Sequence, residues 1–287
     1  MFAKVLKYDL RFIAQKWWIL AVSVLGGAIP AALLVRMLAA DGGEAPLLTA
    51  LLGVCAAFYL FTYAIVFFCS PAVTALLLYW RFYAHFFSDQ GYLTFTLPVK
   101  RRTLLLSKLT NEMIWYVANF LLMLVAFFLF AWLAMPATEQ YPVLNPIILI
   151  SVGDIFSSAW RAVGAWTVAY VAEALLLLLV YVLFSSCLVQ FCITVGAVIA
   201  KRHKLIAGIG IFYGVQAALG AVGQLLLTLL GGLLIEGLQV LLQDATRDAV
   251  CGVIALILLV FVLLFGALAV LTYCFTENNL DKKLNLA

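Results

Sequence analysis

Six long runs without a charged residue constrain this chain more than any other feature of its sequence. Lipid offers no hydrogen-bond partner for exposed backbone N–H and C=O groups, so a run of this length must satisfy those groups within itself. An α-helix does so, whereas the strands of a membrane β-barrel are shorter and alternate in polarity. The runs are Trp17–Val35, Leu47–Trp80, Met113–Thr138, Ala174–Ala200, Leu205–Ile235 and Ala249–Thr276.

The composition agrees with a lipid environment. The 287 residues are 67% hydrophobic and 10% charged, and the mean hydropathy is +1.17, whereas a soluble domain carries about 25% charged residues. The sequence therefore predicts an all-α, polytopic membrane protein with a single transmembrane domain over residues 1–287. Its predicted spans cover residues 17–39, 47–79, 112–135, 171–200, 205–235 and 250–275.

Basic residues set the predicted orientation of these spans. With the N-terminus in the cytoplasm, only Arg36, Arg161 and Arg247 of the 17 Lys and Arg residues fall outside. Lys and Arg concentrate on the cytoplasmic side of membrane proteins, so both termini are predicted to be cytoplasmic. The net charge of +4 then reflects membrane topology, and no nucleic-acid partner is expected.

The first 16 residues have an amphipathic pattern that predicts a separate helix. Apolar residues recur at helical spacing while the basic residues take other positions, as in a helix that lies on the inner leaflet. We expect an interfacial helix over residues 1–16, with Trp17 at the membrane interface where the first span begins. The apolar positions are Phe2, Val5, Leu6, Leu10, Ile13 and Trp17.

A second amphipathic pattern lies between the third and fourth predicted spans. Apolar residues repeat there at helical spacing and predict another interfacial helix, on the outer surface. The residues are Val152, Ile155, Phe156, Ala159, Trp160 and Val163.

Small residues mark the fifth span. Gly210 and Gly214 form a GxxxG pair that Ala218 extends, and small residues at this spacing let two membrane helices approach closely. The pair fits packing within the chain or a dimer seam.

Catalytic motifs are absent from the sequence. There is no GxxxxGK[ST] loop to bind ATP phosphates and no HExxH metal motif. His85, Ser88 and Asp89 are close in sequence, but such spacing does not specify a catalytic triad, which is defined by geometry. We expect a non-catalytic chain with no metal or cofactor of its own.

Few polar side chains fall within the predicted spans, apart from Glu173 at the outer end of the fourth span. Polar groups are costly in a membrane and tend to face other helices or a cavity. They are candidates for lining a passage, and interhelical hydrogen bonding is the alternative. The residues are Asn119, Gln190, Gln216 and Gln224.

The segment at residues 80–111 differs from everything around it, because it mixes aromatic and basic residues. Gly91 permits a sharp turn, Pro98 disfavours helical geometry at Leu97, and Phe86–Asp89 is a place for the second helix to end. The stretch Lys100–Lys108 reads as an amphipathic helix that leads into the third span. An apolar knob beside basic residues suits docking onto a soluble partner, and a loop at the lipid headgroups is the alternative.

This segment carries a resemblance to a known family. Its GYLTFTLPV run, the following Arg101 and Arg102, and the LLLSKL run resemble the first cytoplasmic loop of ABC transporter permeases of the type-two exporter family, in particular bacterial, Firmicutes-like members. The C-terminal KKLNL is similar to the tail of the same group.

The resemblance implies a six-span fold with an N-terminal elbow helix and a cytoplasmic coupling loop, here at residues 80–111. That loop would dock onto a separate ATPase subunit, which binds ATP and Mg, and two permease copies or paralogues would form the working dimer. The implied ATPase-coupling residues are Ser88, Asp89, Gly91, Tyr92, Leu93, Thr94, Phe95, Leu97, Pro98, Arg101 and Arg102, with Lys201 and Arg202 as a smaller second contact.

The expected function is therefore that of a permease subunit of an ABC exporter, a multi-pass protein of the bacterial plasma membrane. The alternative is a non-transporting membrane scaffold or sensor that recruits a soluble partner through the same cytoplasmic loop. Neither the substrate nor the choice between homodimer and heterodimer follows from the sequence.

Overall fold

A computed structural model describes residues 2–40, 46–88, 91, 100–134, 151–200, 203–242 and 247–282. Every regular element in these ranges is an α-helix. Six of the helices are long and apolar enough to cross a membrane, so the chain is an all-α, multi-pass membrane protein. In chain order the helices are α1 (Phe2–Ala40), α2 (Pro46–Phe87), α3 (Arg101–Ala134), α4 (Ser151–Val163), α5 (Trp166–Ile199), α6 (Lys204–Leu242) and α7 (Arg247–Lys282).

The first helix differs from the expected elbow and span. Helix α1 runs through Lys16 and Trp17 as one continuous element of 39 residues. The amphipathic pattern at its start predicted helix correctly but did not predict an end. No glycine or proline lies between Phe2 and Trp17, and these are the residues that most readily interrupt a helix.

The second and third helices extend into the segment that was predicted as a loop. Helix α2 has 42 residues, or about 63 Å at 1.5 Å per residue, which exceeds the roughly 30 Å hydrocarbon core. It ends at Phe87, and α3 begins at Arg101. The loop is therefore shorter than residues 80–111, while the predicted extension of the second helix and the helix leading into the third span are confirmed.

A glycine separates the short helix α4 from α5. Gly164 has a φ of 63°, a left-handed conformation that glycine adopts without strain from a side chain. Its N–H donates to the carbonyl of Trp160 at 2.8 Å, and its own carbonyl accepts from Thr167 at 3.1 Å. Such a glycine is a common end to a helix, and the predicted amphipathic helix before it is confirmed as a helix.

The chain divides into two compact units. The smaller unit contains Ala3–Leu78 and Thr110–Ala159, and the larger unit contains Met1–Phe2, Tyr79–Leu109 and Trp160–Ala287.

The smaller unit has an apolar core built from α1, α2 and α3. Ile13, Leu78 and Trp115 are buried together, and the rings of Trp17 and Trp115 lie 5.0 Å apart. Further along α1 and α3, Val24, Leu122 and Ala126 form a second buried cluster. Burial of these side chains fixes the register of the three helices in this unit.

The larger unit is organised around α5. Phe184, Leu188 and Cys192 of this helix pack with Ala269 of α7. On another side, α5 and α6 approach so closely that a Cβ atom on Gly196 would meet the backbone of Gly208. Small residues at the crossing allow this backbone approach, as is usual for membrane helices.

Candidate functional site: the base of the coupling loop

Aromatic side chains bury the end of α2 where the chain leaves the helix. Phe82 and Phe86 are fully buried, and Phe87 is nearly so. The rings of Phe82 and Phe86 lie 5.0 Å apart, and Phe87 lies within 6.2 Å of Phe86. These distances are typical of interacting aromatic pairs, so the last two turns of α2 end in a packed cluster within the larger unit.

Gly91 closes a turn directly after this cluster. Its N–H donates to the carbonyl of Ser88 at 2.7 Å. A Cβ atom at this position would lie 2.7 Å from the backbone oxygen of Phe86, so a larger residue requires the backbone to move. The glycine that the sequence singled out as a turn residue is thus needed here because the chain packs against the end of α2.

A buried hydrogen bond joins the end of α2 to the start of α3. Lys108 is 3% exposed, and its Nζ lies 2.7 Å from Nδ1 of His85. An ammonium group has no lone pair to offer, so Lys108 as an ammonium donates, and Nδ1 accepts in the His85 tautomer that carries its proton on Nε2. Charge-assisted hydrogen bonds of this kind are stronger than neutral ones.

The start of α3 is also tied to the end of α7. The guanidinium of Arg101 donates to the backbone carbonyl of Leu280, and the hydroxyl of Tyr273 lies 3.5 Å from the carbonyl of Arg102. Leu280 and Thr276 are buried. The C-terminal end of α2, the N-terminal end of α3 and the C-terminal end of α7 are therefore joined by these contacts. The predicted coupling loop connects the first two of these helix ends.

We call these tied residues the loop base. They comprise Phe82, His85, Phe86, Gly91, Arg101, Lys108 and Leu280. Their contacts hold the end of α2 and the start of α3 against packed helix ends.

The structure describes four of the predicted ATPase-coupling residues: Ser88, Gly91, Arg101 and Arg102. Gly91 and Arg101 belong to the loop base, whereas Ser88 and Arg102 are exposed beside it. The remaining positions lie outside the described residues, and their role stays a prediction. They are Asp89, Tyr92, Leu93, Thr94, Phe95, Leu97, Pro98, Lys201 and Arg202.

The sequence does not mark four members of the loop base as contact residues: Phe82, His85, Lys108 and Leu280. In the sequence, His85 stands out only for its position near Ser88 and Asp89, and Lys108 for its place in the amphipathic Lys100–Lys108 stretch and the LLLSKL run. A lysine and a histidine on either side of a loop do not by themselves predict a contact in the sequence, because only the packing of the helix ends brings them together. Leu280 lies 179 positions from Arg101 and gives no sequence signal for its carbonyl contact.

The four candidate pathway residues differ in their surroundings. Asn119, in the smaller unit, is buried, and its Oδ1 lies 3.1 Å from the hydroxyl of Thr74. The three glutamines belong to the larger unit, where Gln190 is buried and Gln216 and Gln224 are exposed on α6. Whether any of them lines a passage stays a prediction.

Across the described ranges, no three His, Cys, Asp or Glu side chains group closely enough to hold a metal ion.

Comparison of the chain with models of known protein families gives no match, and comparisons with known proteins and with solved structures give none either. The family assignment therefore stays a prediction. It rests on the GYLTFTLPV and LLLSKL runs and on the C-terminal KKLNL.

Proposed function

We propose that this chain is the membrane-spanning permease subunit of an ABC exporter in a bacterial plasma membrane. It forms the translocation pathway as a dimer with a second copy or a paralogue. A separate ATPase subunit binds ATP and Mg, and docks on the segment between α2 and α3. Both termini and this segment face the cytoplasm, as the distribution of basic residues indicates.

The loop base is the observation that carries this proposal. A loop that transmits force from an ATPase subunit to the membrane helices must be anchored at both ends. Without anchors, the loop ends move and the helices do not. Here the loop begins at the aromatic cluster of α2 and ends at Arg101, which is held by the carbonyl of Leu280. Because the buried Lys108–His85 hydrogen bond joins the two helices, a push on the loop displaces α2 and α3 together.

The proposed mechanism follows from this anchoring. ATP-driven closure of the ATPase dimer moves the loop, and the loop base passes the displacement to the spans of α2, α3 and α7. Closely packed helices transmit such displacements because tightly packed interiors deform little. The sequence carries no GxxxxGK[ST] motif for binding ATP, so the ATPase subunit supplies the energy for export.

Purification of the tagged full-length chain from its native membrane, followed by mass spectrometry, tests the proposal. We expect an ATPase subunit with a GxxxxGK[ST] motif to co-purify, and ATP hydrolysis to depend on that subunit. ATP hydrolysis by the chain alone, or purification without any such ATPase, would contradict the proposal. If a soluble protein without that motif co-purifies instead, the scaffold or sensor function is favoured.

A further inference from the structure

Helix α5 carries one carboxylate within its apolar length, at Glu173. No other acidic residue and no Lys or Arg lies between Trp166 and Ile199. Oxygen Oε2 of Glu173 is buried and has no hydrogen-bond partner in the described part of the chain. An ionised carboxylate in an apolar region is costly unless it is paired, and ionisable groups inside spans commonly mark a ligand site.

Two donors on the same helix, at Trp166 and Tyr170, are used by other acceptors. Tyr170 lies one turn before Glu173, and its hydroxyl donates to the carbonyl of Cys251 at 2.9 Å. Nε1 of Trp166 donates to Oδ1 of Asp248 at 3.4 Å. Since each of these groups has a single hydrogen to donate, neither is available to Glu173.

Two aromatic residues share a face of α5 with this carboxylate. Trp166, Tyr170 and Glu173 recur at i, i+4 and i+7 and so occupy one face of α5. The ring centroids of Trp166 and Tyr170 are 6.4 Å apart, and both side chains are partly exposed. Asp248, at the start of α7, places a second, exposed carboxylate at the outer edge of the same face.

We propose that Trp166, Tyr170, Glu173 and Asp248 bind an organic cation of the ammonium or phosphonium class. The aromatic faces attract a cation through the negative face of their π-systems, and the carboxylates of Glu173 and Asp248 supply the neutralising charge. That such a cation is also exported rests on the proposed function, whereas the binding itself does not.

Equilibrium binding of radiolabelled tetraphenylphosphonium tests this site. The full-length chain is reconstituted in phosphatidylcholine nanodiscs without any ATPase subunit, so a failure of binding is separate from a failure of the ATPase partnership. We expect saturable binding, with a Kd that rises at least about tenfold in Glu173→Gln, since the substitution keeps the shape and removes the charge. Glu277→Gln, which removes a carboxylate near the other end of the unit, leaves the Kd unchanged.

A second pair of variants tests the aromatic wall independently. Trp166→Ala weakens binding severalfold, while Trp160→Ala, at an exposed tryptophan of α4, does not. Size-exclusion chromatography establishes which variants are folded, and Trp166→Leu, which keeps an apolar side chain without a π-face, replaces Trp166→Ala if that variant does not fold. Unchanged binding by folded Glu173→Gln overturns the proposal, as does a folded wild-type chain that shows no saturable binding.

Discussion

Nζ of Lys108 lies 2.7 Å from Nδ1 of His85, although 23 residues separate the two in the chain. The lysine is almost completely buried. A buried ammonium group is stable only when it is hydrogen-bonded or paired. This contact therefore ties the end of α2 to the start of α3 at the loop base.

A double-mutant cycle on this pair measures the contact. We expect Lys108→Met and His85→Ala each to lower the free energy of unfolding, by about 1.5–3 kcal/mol for a hydrogen bond to a charged group. Because the two side chains share one interaction, the double variant loses less than the sum of the single variants. Additive losses would show that the two residues act independently.

Gly91 is expected to tolerate no side chain. Gly91→Ala places a Cβ atom against the carbonyl of Phe86, so the turn must shift and we expect a loss of about 1–3 kcal/mol. Gly53→Ala in α2 is the matched control, because a Cβ atom there meets no neighbouring atom within 4 Å. A thermal-unfolding midpoint that falls equally in both variants would contradict the packing of Gly91 on the end of α2.

The crossing of α5 and α6 gives a third test. Gly208→Ala brings a Cβ atom to 3.1 Å from Cα of Ile193, whereas the same change at Gly210 meets open space. Overpacking at such a crossing costs about 1–3 kcal/mol, so Gly208→Ala should lower the unfolding midpoint and Gly210→Ala should not. If Gly210→Ala lowered the unfolding midpoint and Gly208→Ala did not, the close contact of α6 would lie on the face that carries Gly210.

Substitution of Asn119 distinguishes a role of this residue in the pathway from a role in helix packing. Asn119→Leu removes one acceptor from Thr74, but the Thr74 hydroxyl also lies 3.0 Å from the carbonyl of Ser70. The hydrogen bond is therefore replaceable, and interhelical hydrogen bonds in membranes average only about 0.6 kcal/mol. We expect nearly unchanged stability, with reduced ATP-dependent transport of tetraphenylphosphonium in proteoliposomes that also contain the ATPase subunit. A large loss of stability without a transport defect would assign Asn119 to packing.

Much of the fold could be predicted from the sequence, because long uncharged runs permit only membrane helices. The end of α2, the amphipathic helix α4 and the turn at Gly91 followed from residues whose backbone preferences are strong. The continuity of α1 through Lys16 could not be predicted, since amphipathicity shows which face is apolar but does not show where a helix ends.

The loop base shows why site residues are harder to predict. Gly91 and Arg101 stand out in the sequence, yet the partners that hold them are the backbone carbonyls of Ser88 and Leu280. Any residue offers a carbonyl, so no sequence pattern marks such a partner. Long-range packing of helix ends decides these contacts, and only the structure shows it.

Photo-crosslinking from the coupling segment tests the central claim most directly. Benzoylphenylalanine replaces Tyr92 in the full-length chain, and replaces Trp132, an exposed residue near the far end of α3, as the control. After illumination of native membranes, we expect an adduct between position 92 and an ATPase subunit that carries a GxxxxGK[ST] motif, and none from position 132. If position 92 gives no ATPase adduct, or both positions give it equally, the proposed coupling of this loop to an ATPase is wrong.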